Sequence, residues 1–387
     1  MKLTIKRQGL EKLISICLDC IPTSTADNCL RNFLLTVDES KIKLLASDGN
    51  ISIEGELLIN EENSDIVSAE PGSIQIPAKT FSDIIKNFQS ELITLMLVDN
   101  SVLYVSDEFT RYNLRVVDAR EYPNIDLVPS NATSFTIPYQ DFLTLYKHTN
   151  YACAIKGRGR DLFTGINIKI ENSKLYFIAT DAFRLAMKSI PLSGEEFIDV
   201  SKSVTVPVKS LATLGKIEAD TITFNIENSK IIFQLGHFVV ASTIYGGEFP
   251  DVRRIIPDKI HYKLVANSQN FLSALERITA VGNDNVQMIC HSNSVEISSR
   301  NTNVGNSKEE LHDIEFKDLY LSEDVEVDDN LETFSVIFNA NFVKDAVSGL
   351  DCQTVTLSFA SDVKAFQISS DDPSDIQIVT PIRTLNS

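Results

Sequence analysis

The 387-residue sequence is poor in features that mark several large classes of protein. It has no excess of basic residues: 35 Lys and Arg stand against 53 Asp and Glu, a formal net charge of −18. A globally basic, histone-like or tail-mediated nucleic-acid binder is therefore excluded, and any polyanionic partner must be held by something other than net attraction. No stretch approaches about eighteen consecutive apolar residues, and the start, Met1 to Arg7, has neither an apolar core nor a small-residue cleavage site. The expectation is a soluble, unexported, cytoplasmic chain. Six scattered cysteines (Cys17, Cys20, Cys29, Cys153, Cys290 and Cys352) make no disulfide framework and suit a reducing compartment.

Chemistry-bearing motifs are equally scarce. Cys17-Leu18-Asp19-Cys20 has CxxC spacing, yet Cys17 belongs to an apolar helical stripe and no second pair or nearby histidine completes a metal site. The five histidines, His148, His237, His261, His291 and His312, contain no H-x-x-x-H pair. Lys156-Gly157-Arg158-Gly159-Arg160-Asp161 lacks the GxxxxGK[ST] pattern and does not open an apolar-periodic helix, so it reads as a basic loop rather than a phosphate cradle. No metal, cofactor or catalytic residue is expected. With 43% hydrophobic and 23% charged residues the chain is fully globular, long enough for two to four domains.

What the sequence does have is repetition. Lys2-Leu3-Thr4-Ile5, Ser134-Phe135-Thr136-Ile137 and His261-Tyr262-Lys263-Leu264 each lead into a helical stretch with apolar residues three and four apart. Ser73 to Pro77 returns as Ser203 to Pro207 and, more weakly, as Ser335 to Asn339. Ala46-Ser47-Asp48-Gly49 returns as Ala179-Thr180-Asp181-Ala182, and Glu121 to Ile125 as Glu248 to Val252. The equivalent placement of Asp48 and Asp181 suits a structural turn better than catalytic carboxylates. Alternating segments at 92–98, 102–106, 221–226 and 230–235, separated by Asp-Asn or Asn-Ser, read as antiparallel hairpins. Polar and proline clusters near Val128 to Asn131 and Pro257 to Lys259 give three tandem domains, 1–128, 129–257 and 258–387. The fold class is α+β, each domain antiparallel sheet with two helices.

Three domains carry six helices, and two chains would carry twelve. Side by side at roughly 9 to 10 Å, twelve helices enclose an opening of about 27 Å once a helix thickness of about 10 Å is subtracted. A duplex of about 20 Å would pass. On the second helix Phe81, Ile84, Ile85 and Phe88 form the apolar stripe, while Lys79 and Lys86 share the opposite face; the matching places in the second domain hold Lys209 and Lys216. These are either ordinary solvated lysines or an inward lining for weak, sequence-blind phosphate contacts. With Lys147 they are the candidate DNA-facing residues.

The stretch Ile178-Ala179-Thr180-Asp181-Ala182-Phe183-Arg184-Leu185-Ala186 resembles the ATD-x-x-RLA signature of the bacterial DNA polymerase III beta subunit, the beta sliding clamps. Glu248 to Pro257, Phe338-Asn339-Ala340-Asn341-Phe342 and Thr380-Pro381-Ile382-Arg383 match that family in order. The resemblance implies a non-enzymatic, homodimeric six-domain ring around duplex DNA. Such a ring would tether the DNA polymerase III catalytic subunit, meet the clamp loader, and serve other repair proteins that carry a clamp-binding motif. It implies a partner-peptide pocket at Arg160, Phe163, Thr180, Ala182, Phe183, Arg184, Leu185, Pro250, Ile255, Asn339, Phe342, Ile378, Pro381, Ile382 and Arg383. It also implies a dimer contact through Tyr112 and Leu114 on an edge strand and Ala280 and Val281 after a helix. The chain departs from the family in three places. Ala182-Phe183 replaces the frequent Gly-His or Ser-His, Ser24 stands where some members have an arginine contacting DNA, and Thr384 to Ser387 runs past the usual end. The rival readings are a small-molecule enzyme built on repeated α+β domains, using Asp181 or the loop from Lys156 to Asp161, and a peptide adaptor without a ring.

Overall fold

The computed structural model describes residues 1–59, 65–130, 132–194, 201–291, 294–301, 303–311, 314–319 and 334–383. Asn131, His312 and the tail from Thr384 to Ser387 lie outside them. In chain order the first third contains β1 (Lys2–Lys6), α1 (Arg7–Cys17), β2 (Asn32–Val37), β3 (Lys41–Ser47), β4 (Ile51–Leu58), β5 (Ile66–Glu70), β6 (Gly72–Pro77), α2 (Ala78–Asn87), β7 (Leu92–Val98), β8 (Val102–Ser106), β9 (Arg111–Arg115) and β10 (Val117–Asp118). The second has β11 (Thr133–Pro138), α3 (Tyr139–Lys147), β12 (Gly165–Glu171), β13 (Lys174–Thr180), β14 (Arg184–Pro191), β15 (Lys202–Pro207), α4 (Val208–Leu214), β16 (Thr221–Ile226), β17 (Lys230–Leu235) and β18 (Phe238–Thr243). The third has β19 (Tyr262–Asn267), α5 (Ser268–Thr279), β20 (Asn285–Cys290), β21 (Val295–Asn301), β22 (Gly305–Leu311), β23 (Ile314–Asp318), β24 (Phe334–Asn339), α6 (Ala340–Leu350), β25 (Thr354–Phe359), β26 (Phe366–Ser369) and β27 (Asp375–Val379).

The strands form as alternation requires: in β8, Leu103 and Val105 are buried while Val102, Tyr104 and Ser106 are half-buried. Asp99 and Asn100 both adopt positive φ, 52° and 55°, the twist-matched two-residue turn between β7 and β8; Asn172 and Ser173 do the same between β12 and β13. The Asn228-Ser229 pair expected to do this between β16 and β17 does not: three residues connect those strands, and Glu227 N–H donates to Lys230 C=O at 3.0 Å. On α2 the buried residues include Phe81, Ile84 and Ile85, and Lys79 and Lys86 are exposed.

Compactness follows the sheets rather than tandem thirds. One unit is Met1–Phe142 with Lys209–Ile244, the other Leu143–Val208 with Tyr245–Ser387. The first holds a five-stranded sheet, β5-β1-β7-β8-β9, and a nine-stranded sheet, β10-β6-β2-β3-β4-β18-β17-β16-β11. Its core includes Phe33, Phe81, Phe142, Phe224 and Phe233, all fully buried. The second unit holds a nine-stranded sheet, β15-β12-β13-β14-β27-β26-β25-β19-β23, and a four-stranded one, β22-β21-β20-β24. Its largest core gathers Phe271, Phe338, Phe359 and Phe366 beneath α5 and α6. Among the described residues every strand pair is antiparallel. Each nine-stranded sheet is continuous across a sequence repeat, through β4 against β18 and β14 against β27.

Candidate functional site

The Thr180 to Arg184 segment is a turn tied by its own side chains. Asp181 Oδ1 accepts the N–H groups of Phe183 and Arg184 at 2.9 and 3.0 Å, and Thr180 Oγ1 accepts Ala182 N–H at 3.1 Å while donating to Arg184 C=O at 2.6 Å. The first repeat builds the same turn. Asp48 Oδ1 takes the N–H groups of Asn50 and Ile51 at 2.9 and 2.8 Å, and Ser47 Oγ takes that of Gly49 at 3.1 Å. The two aspartates are turn formers. Gly49 and Ala182 occupy the same left-handed position, φ 87° and 77°, and only glycine is at ease there.

From this turn Arg184 reaches inward. Its Nε donates to Asp181 at 3.0 Å and its Nη1 to Asp345 at 2.5 Å, and its guanidinium lies 4.7 Å from the Phe342 ring centre and 5.6 Å from that of Tyr151. With its side chain 13% exposed, Arg184 acts as a strut rather than a free donor. Phe183 points the other way: it is 61% exposed and stacked on Phe342 at 6.5 Å with a 23° interplanar angle. Its carbonyl accepts both the N–H and the Oγ1 of Thr380, each at 2.9 Å. Asn339 likewise uses its side-chain oxygen locally, capping α6 through the N–H groups of Asn341 and Phe342.

The structure thus brings Thr180, Ala182, Phe183, Arg184 and Phe342 into one contacting group. Leu185 and Ile378 belong to an apolar cluster with Ile178, Met187 and Val252, against which Phe249 and Ile256 pack. Arg160 and Phe163 form a second cluster, the guanidinium 5.4 Å from the ring centre and Phe163 edge-on to Phe249 at 6.1 Å. Pro250 lines an adjoining groove of about 410 Å³ with Phe249, Ile178 and Met187. Ile255 is 45% exposed. Pro381 is half-buried and Arg383 exposed, while Ile382 donates its N–H to Ile337 C=O at 2.7 Å and lines a different groove beside β24.

Beneath this group lies a buried polar network that sequence reasoning missed. His148 Nδ1 bonds Asp375; Lys188 Nζ lies 2.6 Å from Asp372 and 3.5 Å from Asp375; Gln377 bonds Asp375 and the His148 carbonyl, and the Tyr151 hydroxyl donates to Gln377. Asp375 and Lys188 side chains are only 1% and 7% exposed. The Lys188 hydrogen bond holds the Asp372 carboxyl down at about 2, and burial pushes the Tyr151 phenol well above its usual value. The available signal was Lys188 directly after the apolar run Leu185-Ala186-Met187 in a strand. Asp345 and Tyr151 carried no such mark.

Of the five lysines, Lys79 and Lys86 form no ion pair among the described residues. Lys209 is 2.9 Å from Asp48, Lys216 2.6 Å from Asp19 and Lys147 2.8 Å from Asp351. Tyr112 and Leu114 lie on β9, which ends its sheet, with Tyr112 edge-on to Phe88 at 5.5 Å. Ala280 and Val281 are exposed after α5, and Val281 adjoins Gly305 at the start of β22, one end of the four-stranded sheet among the described residues. A second open edge was expected on this side of the junction, but the strand that supplies it, β22, was not identified. Cys17 and Cys20 are buried and burial raises both thiols far above the ordinary range, which makes them inert packing residues. Among the described residues no cluster of three or more His, Cys, Asp or Glu could hold a metal, and no helix is long and apolar enough to cross a membrane.

Comparison with known proteins agrees with this architecture. Family models of the DNA polymerase III beta subunit match in succession: the N-terminal domain over residues 1–126, the central domain over 136–251 and the C-terminal domain over 253–383. The beta sliding clamp of Staphylococcus epidermidis is 28% identical and that of Bacillus subtilis 26%, each matching 99% of this chain and all of the relative. Among solved structures, the DNA polymerase sliding clamp from Bacillus subtilis matches with TM-score 0.89 at 25% identity, over 99% of both chains. A DnaN sliding clamp from Pseudomonas aeruginosa bound to griselimycin matches with TM-score 0.88 at 22% identity, over 99% of this chain and 100% of that one. Three successive domain matches spanning nearly the whole sequence, on a fold with the same threefold internal repeat, mean that this chain belongs to the DNA polymerase III beta subunit family.

Proposed function

We propose that this chain is a DNA sliding clamp: two copies close head to tail into a ring around duplex DNA and tether the replicative polymerase, with no catalysis of their own. Its domains run 1–128, 129–257 and 258–387, it works in the cytoplasm, and its partners are DNA, the polymerase III catalytic subunit, the clamp loader and clamp-binding repair proteins. Retention by enclosure suits a chain of net charge −18, because affinity need not come from phosphate contacts, and tethering raises the polymerase's effective concentration at the primer end. Lys79, Lys86, Lys147, Lys209 and Lys216 face the duplex in this reading.

One observation carries the ring. By position in the repeat, β4, β14 and β22 are equivalent, as are β18, β27 and β9. The chain pairs β4 with β18 and β14 with β27, and leaves β22 and β9 as sheet ends. An unpaired edge of each kind is what two copies need in order to close on one another. The two internal junctions also set the register. Val240 faces Ile53 in one and Gln377 faces Ala186 in the other. Counting from the strand pairs that precede α2, α4 and α6, both junctions put Tyr112 opposite Ser307 of the second copy and Leu114 opposite Gly305. Thr243 N–H donates to Asn50 C=O and Thr380 N–H to Phe183 C=O, so Arg115 N–H is assigned to the Val304 carbonyl of the second copy.

Ring and register are tested separately. Clamp loaded on nicked circular DNA should survive high salt and be lost on linearisation; equal retention on both forms counts against enclosure. The double variant Tyr112→Cys, Ser307→Cys should oxidise to a covalent dimer beyond the wild-type background, whereas Tyr112→Cys with Gly305→Cys or Glu309→Cys should not. A slipped pair that cross-links overturns the register alone, and a monomer at every concentration in light scattering overturns the ring.

The partner-peptide pocket is assigned to the residue group around Arg184, with Leu185 and Ile378 as floor and Arg160, Phe163, Pro250, Ile255, Asn339, Pro381, Ile382 and Arg383 as its surroundings. Deleting Pro381 and Ile382 should weaken polymerase and loader peptides while leaving the dimer intact.

A further inference from the structure

We propose that the two ring edges select each other through one side-chain position, at which the chain's sheet junctions carry three mutually incompatible residue sets; this rests on the ring proposed above. Nine residues after the openings of α1, α3 and α5 stand Ile16, His148 and Arg277. At the matching place on the strand that receives a neighbour stand Gly55 in β4, Lys188 in β14 and Glu309 in β22. Opposite the first two come Phe238 of β18 and Asp375 of β27. Opposite Glu309, in the register assigned above, comes Thr110 of the second copy.

The first junction is apolar. A Cβ at Gly55 would collide with the Phe238 ring and the Leu13 side chain, and Ile16 lines the same groove as both, so the ring fills the room that glycine leaves. The second junction is charged. Lys188 lies 3.5 Å from Asp375, His148 bonds the same carboxylate, and all three side chains are largely buried. In the third, Arg277 grips Glu309 through Nε at 3.0 Å and Nη2 at 2.5 Å. That ion pair is complete within one chain, so the incoming edge needs only a small neutral residue, and Thr110, exposed just before β9, is one. Exchanged edges fit badly. Asp375 against β22 would set a second carboxylate on Glu309, Phe238 against β14 would bury Lys188 with no carboxylate, and Thr110 against β4 would leave a hole over Gly55. Backbone hydrogen bonding is common to all three junctions and does not tell one edge from another. The surface that Arg277 and Glu309 form at β22 therefore accepts the β9 edge of a second copy and rejects the chain's own β18 and β27.

The test moves each internal set to the ring edge of the full-length protein and reads the dimer's dissociation constant by light scattering over a dilution series, with circular dichroism as the check on folding. Thr110→Asp should weaken the dimer roughly tenfold or more, because like charges then face one another. Adding Arg277→His and Glu309→Lys, which copies the second junction, should restore most of that loss. Thr110→Phe should also weaken the dimer, and adding Arg277→Ile and Glu309→Gly, which copies the first junction, should restore it. Where one receiving set unfolds the chain, the other decides. Dimers indifferent to both Thr110 variants, or losses that a folded receiving set does not rescue, overturn the proposal while the wild-type dimer leaves the ring standing. Wild-type protein that stays monomeric at every concentration overturns the ring, and this pairing rule with it.

Discussion

Exchanging the residues at the two left-handed turn positions should shift stability in opposite directions. Ala182 sits at φ 77° where its counterpart Gly49 sits at 87°. An L-residue there carries about 1 to 2 kcal/mol of backbone strain, while glycine loses about 0.4 to 1 kcal/mol more on ordering from the unfolded chain. Ala182→Gly should therefore stabilise by about 0.5 to 1 kcal/mol. A Cβ added at Gly49 meets nothing within 4 Å, so Gly49→Ala involves only the torsional terms and should destabilise by the same amount. For folded units of this size that is about 1 to 4 °C in thermal midpoint, upward for one variant and downward for the other. Scanning calorimetry at fixed protein concentration reads both. Shifts of the same sign, or a lower midpoint for Ala182→Gly, would show that contacts of the Ala182 methyl outweigh its torsion and that the two turns are not energetically equivalent.

Three further outcomes are expected. Lys188→Met leaves buried Asp375 without its nearby ammonium and should lose about 3 to 5 kcal/mol in urea unfolding, with the double variant Lys188→Met, Asp375→Leu recovering much of it; equal loss in both would mean the pair is not coupled. Asp372, held at about 2 when folded against an ordinary value near 3.9, contributes stability above about pH 4 that disappears as pH falls toward 2. The stability gap between wild type and Asp372→Asn should therefore close on acidification, and a gap constant in pH would refute the linkage. In native protein at pH 8 a thiol reagent should modify Cys29 and Cys352 first. Cys17, Cys20 and Cys290, buried with raised thiol values, should react only after unfolding, as peptide mapping by mass spectrometry would report.

The parts of this molecule that repeat were legible, because apolar alternation and helical stripes follow directly from which side chains are buried. The segments at 92–98, 102–106, 221–226 and 230–235 are strands over those bounds, and the matched aspartates are the turn formers their spacing implied. What escaped was set by tertiary neighbours. Strand β22, Gly-Asn-Ser-Lys-Glu-Glu-Leu, buries only its last residue, so it has no alternation to read even though it is a sheet edge. The engagement of Arg184 by Asp345, 161 residues away, and of Lys216 by Asp19 across 197, leaves no local trace. The Asn339 cap is different in kind, since Asn just before a helix is a local N-cap signal.

The paired lysines have a mechanical consequence. In the proposed ring Lys147, Lys209 and Lys216 would each meet a passing phosphate while already paired with a carboxylate, so following the phosphate would mean exchanging one oxygen anion for another. Such a swap releases few counterions and yields little net pull. A rod threaded past such side chains would find only shallow wells, and low friction of this kind would let it travel far without being let go.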